Sequence, residues 1–217
     1  MCGVFGFAAK ENEPVDLRIL KRIAAITESR GPHAWGMAWV DGRGKMRSYK
    51  QSGRITDAMG LLDMAKDARM LIGHCRWATH GDPANNLNNH PHDGGDAWVV
   101  HNGVIYDYER IAKKHRLWMS TECDSEVLGL MLRDFAGKPY QRFRRVVKEA
   151  KGIGPFVMLA LWPDRLMAAR ENGQPLHEGR TDDAYYLASL PAGLPGKVRA
   201  IPEGHHYEIA DEKENEV

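Results

Sequence analysis

The sequence predicts an α+β fold built in layers, with mostly antiparallel sheets. Three observations carry this expectation. Apolar runs of strand length lie at both ends of the chain, stretches of helical pattern lie together over 107–150, and a Gly-containing turn at 41–44 joins two runs as a hairpin. The 217 residues suit one domain spanning 1–217. A chain of that size buries enough surface to need no disulfide or metal staple.

Taken in order, GVFGFAA (3–9) reads as a strand. Pro14 then opens a helical stretch with Ile19, Ile23 and Ile26 on one face, closed by Gly31-Pro32. WGMAWV (35–40) and KMRSYK (45–50) form the hairpin, residues 56–68 read as helix, and RMLIGHC (69–75) as a buried strand. Residues 80–95, rich in Asn, Pro, Gly and His, read as a long loop of the kind that often carries function. AWVVHNGVIY (97–106) reads as a strand pair turning at Asn102-Gly103, a favoured two-residue turn. Helices are expected at about 107–115, 124–135 and 139–150. From Gly154 onward PFVMLALW, RLMAAR, AYYLAS, KVRAIP and HHYEIA read as strands, and the tail over 211–217 as a solvated, fraying end. There is no internal repeat and no low-complexity segment.

Net charge is +1, which argues against a general nucleic-acid or membrane-surface binder. No apolar run is long enough for a transmembrane helix, and the N-terminus lacks the pattern of a signal peptide, so the expected location is the cytoplasm. The three cysteines, Cys2, Cys75 and Cys123, are too few and uneven for a disulfide framework. They form no Cys-x-x-Cys pair, and no His stands at zinc-finger spacing from them, so no metal is expected and the thiols read as reduced.

Four short segments carry candidate chemistry. Removal of Met1 would leave Cys2 with a thiol and a free α-amine, whose ordinary pKa of about 7.7–8.0 suits a general base; taken alone, a cysteine at position 2 reads more readily as an ordinary small residue in an edge strand. GHCRWATHG (73–81) begins where a buried strand ends. There Arg76 offers a planar fork for a carboxylate, Thr79 and His80 offer polar contacts, and Trp77 a wall; a strand end with a solvated Arg is the alternative. His101-Asn102-Gly103 is a plain hairpin turn or an oxyanion hole, in which an Asn amide and a Gly N–H aim at one point. TECDSE (121–126) is a helix N-cap, or it holds Asp124 ready for an ammonium group. Together Arg76 and Asp124 match the two charges of a free α-amino acid, with its side-chain amide reaching the thiol.

Met1-Cys2-Gly3-Val4-Phe5-Gly6, GHCRWATHG, NNHPH (88–92), VVHNGVIYDY (99–108) and ECDSEV (122–127), in that order, resemble class II glutamine amidotransferases, which are N-terminal nucleophile hydrolases. Within that class the chain looks like the glutaminase domain of glucosamine-6-phosphate synthases. MAARENGQPL (167–176), YYLAS (185–189) and VRAIPEGHHYEI (198–209) are similar to its closing strands. The resemblance implies a four-layer αββα sandwich and no cofactor. It implies Cys2 as nucleophile, its α-amine as base, and Asn102 with Gly103 as oxyanion hole. Arg76 and Asp124 would clamp glutamine, with Trp77, Thr79 and His80 beside them and Arg30 next to the nucleophile. Two departures stand out. Arg30-Gly31-Pro32 resembles asparagine synthetases rather than aminosugar synthases, and Cys75 and Cys123 stand where Thr is common.

The implied reaction is hydrolysis of glutamine to glutamate and ammonia through a Cys2 γ-glutamyl thioester. The ammonia would pass to a separate synthase partner. The competing readings are an N-terminal Cys amidohydrolase for another small amide, which Arg76 with Asp124 disfavours, and a catalytically silent glutamine-binding subunit, which the intact Cys2, Asn102 and Gly103 disfavour.

Overall fold

A computed structural model describes residues 1–10, 13–152, 154–210 and 213–216. Strand β1 (Gly3–Ala9) leads to helix α1 (Leu17–Glu28), β2 (Ala34–Val40), β3 (Met46–Ser52), a 3-10 segment (Thr56–Ala65) and β4 (Met70–Arg76). Next come β5 (His92–Asp93), β6 (Trp98–Gly103) and helices α2 (Tyr108–His115), α3 (Glu126–Asp134) and α4 (Pro139–Ala150). The chain continues with β7 (Phe156–Leu161), β8 (Arg165–Glu171), β9 (His177–Arg180), β10 (Ala184–Ala188), β11 (Lys197–Ala200), β12 (His206–Ala210) and β13 (Lys213–Glu216).

These strands make two sheets, ordered β11-β9-β10-β1-β4-β2-β3 and β13-β12-β8-β7-β6-β5. The period-2 alternation of strand side chains explains the layering. Along β1, Phe5, Phe7 and Ala9 pack under α1 with Leu20, Ile23 and Ala24, while Val4 and Ala8 face the other sheet. Ile72 of β4, Val100 of β6 and Leu159 of β7 share that inter-sheet core. On the far side Val99, Met158 and Ala160 pack against Val127, Met131, Phe143 and Val146 of α3 and α4. Three apolar interfaces therefore separate four layers, αββα, the architecture expected from the sequence.

Several local expectations change. Helix α1 begins at an Asp16 cap, whose carboxylate accepts from the N–H groups of Arg18 (2.8 Å) and Ile19 (3.4 Å), not at Pro14. Residues 56–65 form a 3-10 segment with a kink at Ala58. Asn102-Gly103 is no hairpin turn. It is the end of β6, which pairs with β7 over its whole length, and 104–107 leave the sheet. Long-range sheet pairing overrides the local turn preference there. A Cβ on Gly103 would lie 2.1 Å from the Pro155 carbonyl oxygen, so this close approach requires glycine. The short, largely polar strands β5, β9 and β13 escape a pattern search. Of the expected fraying tail, 211, 212 and 217 lie outside the described residues, and the backbone of Lys213–Glu216 pairs with β12.

Candidate active site

Cys2 stands at the entrance to β1, one residue before Gly3, which pairs with Cys75 of β4. This brings Cys2 to the point where the chain leaves β4 at Trp77. The Trp77 N–H donates to Cys2 Sγ at 3.3 Å, and Sγ lies 3.4 Å from the Trp77 carbonyl oxygen. The turn after α1 packs against the same place. A Cβ on Gly31 would meet Trp77 N at 2.5 Å, so glycine lets the two backbones touch. Arg30, just before it, donates from Nε to the Cys2 carbonyl at 2.7 Å. Burial pushes the Cys2 thiol up; the Trp77 N–H, the chain's positive terminus and Arg76 oppose it.

Across from Sγ lies the end of β6. Cys2, Asn102, Gly103, Trp77 and Thr79 line one cavity of about 210 Å³, together with Met1, Val104, Tyr106, Pro155 and Gln174. Asn102 is buried, and its side chain is held at both ends: Gln174 Nε2 donates to Oδ1 at 3.2 Å, and Nδ2 donates to Ser189 Oγ at 3.4 Å. Ser189 is locked in turn, accepting from Val4 N at 3.0 Å. Gln174, Ser189 and Tyr106 are absent from the sequence-derived site. Each is an ordinary polar or aromatic residue in a turn or at a strand end, with no local signal of its role.

Like Arg30 and His80, Arg76 and Asp124 lie outside the lining of this cavity. Both act electrostatically on the Cys2 thiol, Arg76 lowering and Asp124 raising its pKa. Arg76 is buried and engaged: Nη1 donates to Asn89 Oδ1 at 2.8 Å, and Nη2 to the carbonyls of His80 and, at 3.2 Å, Gly81. His80 thus contributes its backbone, while its ring nitrogen Nδ1 meets Thr79 Oγ1 at 3.3 Å. Asp124 Oδ2 accepts from Ile105 N at 2.7 Å, and Oδ1 accepts from Ser125 Oγ at 3.3 Å. The Ser125 hydroxyl also meets His101 Nδ1 at 2.9 Å.

The remaining cysteines differ in setting. Cys75 is packed into the core under α1, and burial pushes its thiol well up. Cys123 lies beside a group of buried histidines, of which His90 and His92 bring donor atoms within 4.8 Å of one another and of its sulfur.

The profile of a family described as "Glutamine amidotransferase domain" matches residues 74–195. The chain belongs to that family. The sequence resemblance and the fold agree that this is a class II amidotransferase domain of the N-terminal nucleophile type. The chain is 34% identical over 97% of its length to a glutamine–fructose-6-phosphate aminotransferase of Aquifex aeolicus, covering 36% of that protein. It is 33% identical over 93% of its length to the enzyme of that name from Aeropyrum pernix, covering 31% of it. The chain thus spans about a third of the length of these relatives. Among solved structures, the glutamine phosphoribosylpyrophosphate amidotransferase of B. subtilis superposes with a TM-score of 0.82 at 22% identity, over 99% of this chain and 49% of that one. A class II domain protein from Silicibacter pomeroyi superposes at 0.68 and 15% identity, over 100% and 98%. These likenesses bear on the fold, and that fold is the αββα sandwich described above. No helix among the described residues is long and apolar enough to cross a membrane.

Proposed function

We propose that this amidotransferase domain hydrolyses glutamine to glutamate and ammonia, with Cys2 as nucleophile once Met1 is removed. The observation that carries the reading is that Cys2, Asn102 and Gly103, separated by most of the first half of the chain, line one small cavity. Cys2 Sγ attacks the side-chain amide carbon. The oxygen that gains charge is received by Asn102 Nδ2 and the Gly103 N–H, donors whose individual loss typically costs about 100–1,000-fold in rate. The α-amine of Cys2 takes the thiol proton and returns it to the leaving nitrogen as the C–N bond breaks. Water then cleaves the γ-glutamyl thioester. Arg30, bonded to the Cys2 carbonyl, fixes the backbone of the nucleophile.

Asp124, at the entrance to α3, receives the substrate ammonium. Arg76 receives its carboxylate, which must take the place of the His80 and Gly81 carbonyls now bonded to Nη2. Substrate binding in this reading therefore rearranges 80–81 while Asn89 keeps hold of Nη1. The ammonia goes to an acceptor reaction on a synthase partner, a reading supported by the aminotransferase names of the longer relatives. Three free cysteines suit a reducing, cytoplasmic setting.

The test is ammonia release from glutamine by the wild type and Cys2→Ala, with N-terminal sequencing of the purified protein. The expected result is a chain starting at Cys2 and a folded, inactive variant. Release near the wild-type rate from Cys2→Ala removes Cys2 from the mechanism.

A further inference from the structure

A group of donors next to this site has no part in the reaction above. His90 and His92 come from the end of the long loop, and Cys123 from the segment leading into α3. All three are buried at 3% exposure, and their ring nitrogens and Sγ lie within 4.8 Å of one another. Buried polar atoms in folded proteins nearly always have a partner. Among the described residues, both ring nitrogens of His90 and Nε2 of His92 have no hydrogen-bond partner. Cys123 Sγ lies 3.8 Å from Asp124 Oδ1.

We propose that His90, His92 and Cys123 form a binding site for a divalent cation of the zinc class, held by two neutral imidazoles and one thiolate. The donor chemistry decides the class, and the site stands independently of the glutaminase reading. Nitrogen and sulfur donors suit zinc or cobalt, whereas calcium and magnesium take oxygen. Bonds of about 2.0–2.3 Å to a tetrahedral ion place ligand atoms about 3.3–3.6 Å apart. Binding draws the three donors in from within 4.8 Å of one another to that spacing and leaves a fourth position open. Burial keeps both imidazoles neutral, the form that ligates. On binding, the Cys123 S–H bond breaks, its proton leaves to solvent and a sulfur–metal bond forms, with no change of oxidation state. Burial, and then the Asp124 carboxylate, push the Cys123 thiol up to about 12, a cost that the metal–sulfur bond must offset; Lys50 and Arg76, within electrostatic reach of the sulfur, oppose that rise. Their charge also repels the ion and sets the affinity below that of a cysteine-rich structural zinc site. No sequence motif announces this site because its donors come from two segments that meet only in the fold.

The test is titration of chelator-treated full-length protein with Co(II), followed by absorbance. The expected result is one bound equivalent with visible bands of a tetrahedral ion and a near-ultraviolet thiolate-to-cobalt band. That band persists in Cys2→Ala and disappears in Cys123→Ser, a near-isosteric change. His92→Gln weakens binding by more than about tenfold, the low end of what losing even an outer partner of a metal ligand costs. A wild-type protein that takes up no Co(II), or takes it up without a thiolate band, overturns the proposal without reference to any variant. So does a thiolate band that survives in Cys123→Ser or vanishes in Cys2→Ala.

Discussion

Gln174 Nε2 donates to Asn102 Oδ1 at 3.2 Å, and Gln174 Oε1 accepts from Arg30 Nη2 at 3.2 Å. Because Arg30 Nε also donates to the Cys2 carbonyl, one glutamine side chain ties the residue bearing the nucleophile to the residue bearing the oxyanion donor. The Asn102 amide has its oxygen turned to Gln174, which leaves its NH2 group facing Ser189 and the cavity. Without that partner the amide loses the hydrogen bond that sets which end faces substrate.

Gln174→Leu is therefore expected to lower kcat with glutamine by about tenfold, less than the loss of an oxyanion donor itself, with little change in KM. Gln174→Glu keeps the Arg30 contact but cannot donate to Asn102, and should resemble the leucine variant. Steady-state kinetics on both variants check this. An unchanged kcat in both assigns Gln174 a packing role.

Arg76→Lys is expected to weaken glutamine binding by about 10–100-fold, measured by calorimetry in a Cys2→Ala background. The lysine keeps the charge but not the planar fork, and a charge-assisted hydrogen bond is worth about 1.5–3 kcal/mol. Arg76 also anchors Asn89 and 80–81, so the melting temperature of the variant is compared alongside. Unchanged affinity in a folded variant shows that Arg76 organises the loop and does not touch substrate.

The buried histidines predict an acid-labile fold. Burial lowers the pKa of His74 to about 3 and that of His101 to about 4, and lowers those of His90 and His92 as well. An unfolded histidine titrates near 6.5, so between that value and the folded pKa the unfolded chain binds more protons, and stability falls as pH falls. At pH 5, His74 and His101 should each cost about 2 kcal/mol relative to pH 7. Ordinary carboxylates titrate below this window. Urea unfolding at pH 7 and pH 5, with chelator present, reads the difference directly; equal stabilities at the two values mean these imidazoles are charged in the fold.

What the sequence by itself determined about this protein is local or ordered along the chain. The apolar runs of β1 and β4 report two strands buried on both faces, and the helical pattern over α1 reports that it packs on one face, though that face is Leu20, Ile23, Ala24 and Thr27, with Ile19 and Ile26 only half-buried. The family is legible in the order of short motifs around Cys2, Arg76, Asn102 and Asp124. The tertiary structure decided everything that depends on partners far apart in sequence. Asn102-Gly103 has the composition of a turn, yet pairing with β7 makes it the end of a strand. Arg76 looks like a free fork for a carboxylate, yet folding brings Asn89 and the carbonyls of 80–81 onto its guanidinium. Gln174 meets Asn102, and Cys123 meets His90 and His92, only because the sheets and helices stack. A hydrogen bond or a donor cluster assembled across layers leaves no periodic trace in the chain that makes it.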